Sequence, residues 1–288
     1  MAAVPSLLAV ENGTVLDLRI VVRRRNRLAL GTILSEATVV TCLHLDPSLP
    51  PEAILAVEEL LLDGVEQGHP EVLYFWESPR PFVVLGYGQS ADREADLDAC
   101  RKSKIPVLRR ESGGGAVLQG PGSLNYGLVL RQDSDPSLAT VSGANRWIME
   151  RNARALQSLL PSSLLAAIRG HTDLALLDPA GHARKVSGNA QRRRRTSLLF
   201  HGTLLHSLDA LQRAAPLELL RSPSLEPEYR AHRSHANFLT SIPANVDALR
   251  LAWTREWGGT APGLPPEPGR IQERVASRYS LESWNLRR

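Results

Sequence analysis

Cysteine, lysine and aromatic side chains are all scarce in this 288-residue chain. Its two cysteines, Cys42 and Cys100, are too few for a disulfide framework or a thiolate metal cluster, which points to a reducing, cytoplasmic compartment. No stretch reaches the roughly 18 uninterrupted apolar residues of a membrane helix, so no membrane partner is expected. The first residues lack the basic start, apolar run and small-residue cleavage site of a secretory signal. Aromatic residues make up 5% of the chain, and none interleave with its basic run as nucleic-acid binding would require, so no nucleic-acid partner is expected either. The 34 basic residues include three lysines, Lys102, Lys104 and Lys185. The simplest reading of the arginine excess is codon bias in a GC-rich genome. A lysine kept at 185, between Arg184 and Arg192–Arg195, fits a need for a compact ammonium where a planar guanidinium does not serve.

What is present suffices for a sizeable core: 43% of residues are hydrophobic, and the length allows one large domain or two modest ones. Residues 1–36 carry the charge run Arg23–Arg25 and fit no core. Residues 20–22 and 28–30 allow a hairpin there, and a mobile extension fits equally. A regular pattern begins near Thr38, giving one domain over residues 37–288. Strands are expected at 38–43, 72–76, 82–86, 105–108, 124–131, 174–177, 184–187 and 198–206. Helices are expected from Pro51 to Gln67, with Ile54, Val57, Leu61 and Val65 as the buried stripe, and at 91–104, 144–160, 246–257 and 271–279. Asp178-Pro179-Ala180-Gly181 supplies the turn between the strands at 174–177 and 184–187. Such antiparallel strands with separated helices predict an α+β fold of mixed, largely antiparallel sheets with flanking helices.

Residues 109–117 read Arg-Arg-Glu-Ser-Gly-Gly-Gly-Ala-Val. Three consecutive glycines let backbone approach a ligand closely, and successive amides in such a loop form an anion-binding concavity. Arg109 and Arg110 add charge-assisted donors for a phosphate or carboxylate. Taken alone, a flexible hairpin loop with two solvated arginines explains the segment as well. It is neither a P-loop nor a dinucleotide-binding fingerprint. Lys185-Val186-Ser187-Gly188 can direct an ammonium into a cleft where the glycine leaves room, or it is an ordinary strand lysine. His201 lies in an apolar strand, where a lone histidine is more often structural. Each signal is weak by itself.

In order along the chain, however, residues 109–117, Thr172-Asp173, 185–192 and 201–204 resemble the motifs R-R-x-S-G-G-G-A-V, N-D-x-x-V, K-x-S-G-x-A-x-R and H-G-T-L of the lipoate–protein ligase A family, within the biotin/lipoate ligase and transferase superfamily. Residues 82–89 resemble the segment before the pocket's first helix, and Arg278-Tyr279-Ser280 with Trp284-Asn285 the last family element. Three departures stand out. Gln119-Gly120 replaces the usual His-Asp, Gly122-Ser123 the usual Gly-Asn, and Thr172 the usual Asn.

The resemblance implies a biotin/lipoate ligase-like catalytic domain that activates lipoate with ATP and Mg²⁺ and passes the acyl group to a carrier lysine. By the same resemblance, Lys185 is catalytic and contacts the acyl carbonyl and α-phosphate. Arg109, Arg110, Ser112, Gly113, Gly114, Gly115, Ala116, Val117 and Leu118 hold phosphate and acyl head. Asn125, Asp173, Ser187, Gly188, Ala190, His201, Gly202 and Thr203 complete the site, with Asp173 near the nucleotide or its metal, whose ligands are unassigned. Val83, Leu85 and Val117 line an acyl tunnel. The implied partners are lipoyl carrier domains, of a 2-oxoacid dehydrogenase acyltransferase subunit or a glycine-cleavage H-protein-like carrier.

Family ligases carry a further C-terminal accessory domain, and this chain stops at Arg288. Three enzyme readings therefore stay open: a self-sufficient short ligase, a subunit needing a separate accessory domain, and an octanoyl or lipoyl transferase. Cysteine-dependent transferases need a thiolate nucleophile. Cys42 and Cys100 match no nucleophile position and are expected to be buried structural thiols. A non-catalytic binding module of the same fold is the reading from a different class. For Arg192–Arg195, docking to an acidic carrier and a solvated hairpin arm stand level.

Overall fold

In a computed structural model of the chain, the residues described are 40–221, 226–259 and 261–287. The expectations for residues 1–36 and for the domain start at 37 lie outside them.

The chain runs from β1 (Thr41–His44) into α1 (Pro51–Glu66). Proline suits the first turn of α1 because the N–H it lacks has no intrahelical partner there. Its apolar stripe is buried as expected, and so are two adjacent carboxylates, Glu58 and Glu59. A buried carboxylate requires partners, so each must meet donors from elsewhere in the fold. Next come β2 (Val72–Trp76) and β3 (Phe82–Leu85). The helix expected at 91–104 is broken into α2 (Ala91–Glu94) and α3 (Leu97–Lys102). Ala95 leaves helical geometry to bridge Leu220, and the Asp96 side chain caps α3 by accepting from Ala99 N at 2.9 Å.

Strands β4 (Val107–Arg109), β5 (Val117–Gln119) and β6 (Ser123–Arg131) lead to α4 (Val141–Gln157). Then follow β7 (Leu165–Arg169), which sequence reasoning missed, β8 (Asp173–Leu177), β9 (Ala183–Arg193) and β10 (Ser197–Leu205). The hairpin strand expected to end at Ser187 runs on to Arg193 because β10 pairs with its second half. Short helices α5 (Leu208–Ala214) and α6 (His235–Phe238) precede α7 (Val246–Trp257). Strand β11 (Ala261–Pro262), α8 (Pro268–Arg274) with a wider π-type turn over Val275–Tyr279, and α9 (Glu282–Asn285) end the described chain.

The strands form an eight-stranded sheet in the order β11-β1-β2-β6-β10-β9-β8-β7 and a three-stranded sheet β4-β3-β5. Only the β11–β1–β2 edge and the β3–β4 pair are parallel, so the expected α+β fold with largely antiparallel sheets holds. Alternate side chains of a strand face opposite ways, and the cores follow that rule. Leu73, Phe75, Leu124, Tyr126, Leu128 and Phe200 pack under α4 and α7, against Ile148, Met149, Leu249 and Trp253. Their neighbours Val72, Tyr74, Trp76, Val129 and Leu199 meet α1 instead. Each fully buried Ile or Leu of α1 contributes about 1.5–3 kcal/mol. The small sheet joins that second core through Phe82 and Val84, while Val83 and Leu85 turn to a third core with Leu118, Ala91 and Cys100. Among the described residues no helix is long and apolar enough to cross a membrane.

Candidate functional site

The two sheets meet along a half-open cleft of about 180 Å³. One wall is the loop between β4 and β5. Its residues fold back over Gly86, where a Cβ would fall 1.9 Å from Gly114 O, so this position can carry no side chain. Tyr87 N donates to Ser112 O at 2.8 Å and Gln89 Nε2 to Gly114 O at 3.2 Å, fixing the loop to the segment after β3.

The two arginines of this wall part company. Arg109 is fully buried, and its guanidinium donates to Gly86, Tyr87 and Gln89 carbonyls on one side and to Trp284, Asn285 and Arg287 carbonyls on the other. It ties the C-terminal segment to the loop and does not line the cleft. Arg110 does line it. Its Nε donates to Ser112 Oγ at 2.9 Å, and its Nη2 to Gly113 O and Gly115 O at 2.6 and 2.9 Å. Burial draws the Arg110 guanidinium down to about 10, with Glu58 and Glu94 pulling it back up, so it stays charged at neutral pH.

The facing wall is the β8–β9 hairpin. Asp173 pairs with Gly188 and Leu174 with Ser187, but Ala175 pairs with Lys185, so β9 carries a bulge at Val186. Lys185 and Gly188 are three residues apart, and without a bulge they would face opposite ways. The extra residue puts them on one face. The lysine then crosses Gly188, where a Cβ would fall 2.8 Å from Nζ, and meets Asp173 Oδ1 at 2.8 Å. Tyr229 OH donates to the other oxygen of Asp173 at 2.9 Å.

The floor comes from β6 and β10. Gln119 Nε2 donates to Asn125 Oδ1 at 2.7 Å and Asn125 Nδ2 to Gln119 Oε1 at 2.9 Å, a closed, neutral amide pair. Tyr126 OH donates to Asn189 Oδ1 and accepts from Asn152 Nδ2, both at 2.6 Å. Burial pushes its phenol well above the ordinary range. His201 places Nε2 at 2.6 Å from Ser112 Oγ and Nδ1 at 3.1 Å from Glu58 Oε2, and Trp76 Nε1 donates to Glu58 Oε1 at 3.1 Å.

Thus Arg110, Gly114, Gly115, Ala116, Val117, Asn125, Asp173, Lys185, Gly188, Ala190, His201, Gly202 and Thr203 converge on one cleft. Arg109, Ser112, Gly113, Leu118 and Ser187 do not face it. Leu118 points into the third core between Val117 and Gln119, which do face the cleft. Ser187 is buried and accepts from Asn189 Nδ2 at 3.1 Å. The apolar tunnel expected from Val83, Leu85 and Val117 is lined instead by Val84 and Val117. Sequence reasoning missed Glu58, Trp76 and Tyr229, and gave no role to Tyr126 and Asn189, although 124–126 and 185–191 are segments that resemble the family. The signal within reach was Glu58-Glu59, two carboxylates inside the apolar stripe of α1.

Both cysteines lie away from the cleft: Cys100 is buried in the third core, and Cys42 is half-buried rather than buried. Three of the four arginines of the run are tied into the fold. Arg192 meets Glu111 at 3.5 Å and stacks on Tyr87, Arg193 donates to Leu138 O at 2.7 Å, and Arg194 pairs with Asp63 at 3.1 Å. Arg195 is exposed.

A mixed sheet sets a glycine-rich loop, a buried arginine and a strand lysine around one cleft. A solved chain from the archaeal lipoylation system of Thermoplasma acidophilum, a bi-partite lipoate protein ligase and its E2 lipoyl domain, superposes with a TM-score of 0.70 at 25% identity, covering 86% of this chain and 96% of that one. Residues 50–249 match the model of the lipoyl protein ligase A/B catalytic domain, and the chain belongs to that family. It is 24% identical over 269 residues to octanoyltransferase LipM of Geobacillus kaustophilus, covering 83% of this chain and 95% of the relative. It is 26% identical over 245 residues to lipoate-protein ligase A subunit 1 of Thermoplasma acidophilum, covering 81% and 90%. The chain is therefore an enzyme of this family.

Proposed function

We propose that the chain is a lipoate–protein ligase, which activates lipoate with ATP and transfers the lipoyl group to a lysine of a lipoyl carrier domain. The observation that carries this reading is the Lys185 ammonium, held across Gly188 by Asp173 and facing a glycine loop with Arg110. Activation brings two anions together, since a carboxylate oxygen must attack the α-phosphorus as the bond to the β-phosphate oxygen breaks and pyrophosphate leaves. Lysine and arginine on opposite walls, in place before the reaction begins, counter that charge. The carrier amine then attacks the acyl carbonyl, AMP departs, and an amide forms as the amine loses its proton to water. Val84, Val117 and Leu55 give the acyl chain an apolar lining.

ATP and lipoate enter as substrates. Among the described residues no group of three or more His, Cys, Asp or Glu side chains could hold a metal. Mg²⁺ would accompany the nucleotide on phosphate oxygens and water, as it usually does. The carriers that suit this chemistry are lipoyl domains of the dehydrogenase acyltransferase or H-protein type. The similarity to a ligase subunit 1 supports a separate accessory polypeptide as a second partner.

The similarity to an octanoyltransferase favours a second reading, transfer from an acyl-carrier donor without ATP. In that reading the acyl group passes without a cysteine intermediate, because Cys42 and Cys100 lie away from the cleft. Lipoate-dependent ATP–pyrophosphate exchange separates the readings. Exchange by the purified chain supports a complete ligase, and exchange only with an added accessory subunit supports a bipartite one. No exchange together with octanoyl transfer from a carrier supports the transferase. Full lipoylation activity in Lys185→Ala would overturn both.

A further inference from the structure

Glu58 lies outside the short motifs that carried the family resemblance, yet its carboxylate lines the cleft with 4% of the residue exposed. The hydrogen bonds that leave it run in one direction. A carboxylate can only accept, so the His201 Nδ1 at 3.1 Å carries the proton. Ser112 is fully buried and its Oγ already accepts from Arg110 Nε at 2.9 Å. Its own hydroxyl proton therefore needs an acceptor, and His201 Nε2 at 2.6 Å is in place. The result is a neutral imidazole in one tautomer. The chain runs Glu58, His201, Ser112, Arg110, with a negative charge at one end and a positive charge at the other. The arrangement resembles a serine nucleophile with its base, but Ser112 is sealed from the cleft and cannot meet a substrate.

We infer that Glu58 is a positioning residue which, acting through His201 and Ser112, sets the Arg110 guanidinium toward the anion in the cleft. Arg110 Nε is committed to Ser112 and its Nη2 holds the glycine loop through Gly113 O and Gly115 O, while Nη1, 3.4 Å from Val84 O, is the nitrogen left to meet an anion. Fixing Nε therefore orients the whole planar group. In Glu58→Gln the amide can donate to Nδ1, which moves the imidazole proton to Nε2. Ser112 Oγ would then face two donors while its own proton has no acceptor, and Arg110 would loosen. The effect should fall on binding of the anionic substrate, a step that rests on the ligase reading above.

The test uses the full chain, with its accessory subunit if exchange requires one. Glu58→Gln should raise the KM for lipoate about 10-fold in pyrophosphate exchange, with kcat within about threefold, as expected for lost ground-state binding. Ser112→Ala should do the same. The double variant should be no worse than either single one, because members of one relay do not add. Glu58→Asp keeps the charge and should recover most of the loss. Independently of any activity, nitrogen-15 spectra of the substrate-free wild type should show His201 protonated at Nδ1 and bare at Nε2, moving to Nε2–H in Glu58→Gln. An Nε2–H imidazole in the wild type, an unchanged KM in Glu58→Gln, or multiplying effects would each overturn the relay. Absence of exchange in the wild type would count against the ligase reading, and the spectra would still decide the relay.

Discussion

The two walls of the cleft are built on opposite plans. On the loop wall, Arg110 and Ser112 are buried at 7% and 0% exposure, and Ser112 Oγ with Arg110 Nε and Nη2 is engaged by protein partners on β10 and in the loop itself. On the hairpin wall, the Lys185 and Asp173 side chains keep 25% and 14% of their surface, and the ammonium is held by an ion pair across an empty glycine position. A network of buried, satisfied hydrogen bonds fixes geometry before a ligand arrives. A partly exposed ion pair is worth little by itself, so a substrate phosphate can replace Asp173 beside Lys185 at small cost. The loop wall therefore acts as a mould and the hairpin wall as the part that changes partners.

The largest expected effect tests the hairpin wall. Lys185→Ala should lower lipoylation by about 10³-fold or more, the scale for deleting a donor aimed at developing charge. Thermal unfolding should shift little, because the pair it breaks is partly exposed. A large loss of stability in this variant would mean that the lysine is part of the mould. The converse experiment is Arg109→Met on the other side. It strips hydrogen bonds from carbonyls of residues 86, 87, 89, 284, 285 and 287. Stability should fall by at least about 3 kcal/mol in denaturant titration, since buried acceptors left unpaired each cost about 1–3 kcal/mol. Activity per folded molecule should change far less. That outcome would show neighbouring residues of identical type serving fold and site respectively.

That division marks the limit of what the sequence shows. The glycine loop, Lys185 and His201 were legible because each lies within a short contiguous pattern, and the fold class followed from strand and helix periods. Adjacent arginines carry no sign of which one turns inward; β4 decides that by sending Arg109 under the C-terminal segment. Val83 and Leu85 were placed in the tunnel where Val84 belongs, because a strand's period is readable and its phase is not. The bulge at Val186 has no sequence marker, although it alone brings Lys185 over Gly188. The arginines at 192–194 found partners on α1, in the 111 loop and after β6, at separations that local reading does not reach. Glu58 is a carboxylate buried among the apolar residues of α1, a local conflict of the kind that marks functional positions.

An intermediate effect comes from Gly188→Ala. The added Cβ would meet Lys185 Nζ at 2.8 Å and Cε at 2.9 Å, both at the far end of a flexible side chain. The lysine can swing aside, so unfolding measurements should register less than about 1 kcal/mol. Its head would no longer rest on Asp173, and a displacement of about 1 Å can lower activity about 10²-fold. Activity within about threefold of wild type would show that the hairpin wall tolerates misplacement.

The smallest effect is a pH dependence, again on the hairpin side. His235, on α6, is half-buried beside the strand that carries Lys185, and burial, with Arg230 and Lys185 nearby, lowers its pKa from 6.5 to about 4. Glu218 pulls the other way and does not prevail. The folded protein thus keeps this imidazole neutral at a pH where the unfolded chain protonates it. Stability from this source is complete above 6.5 and drains away as pH falls toward about 4. The same segment carries Tyr229, which holds Asp173, so acid should loosen the hairpin wall and leave the loop wall unaffected. Solvent screening of a group this exposed keeps the effect small. Between about pH 7 and about pH 5 the wild-type unfolding temperature should therefore drop slightly more than that of His235→Gln. Identical pH dependence in the two proteins would remove the acid sensitivity from this wall.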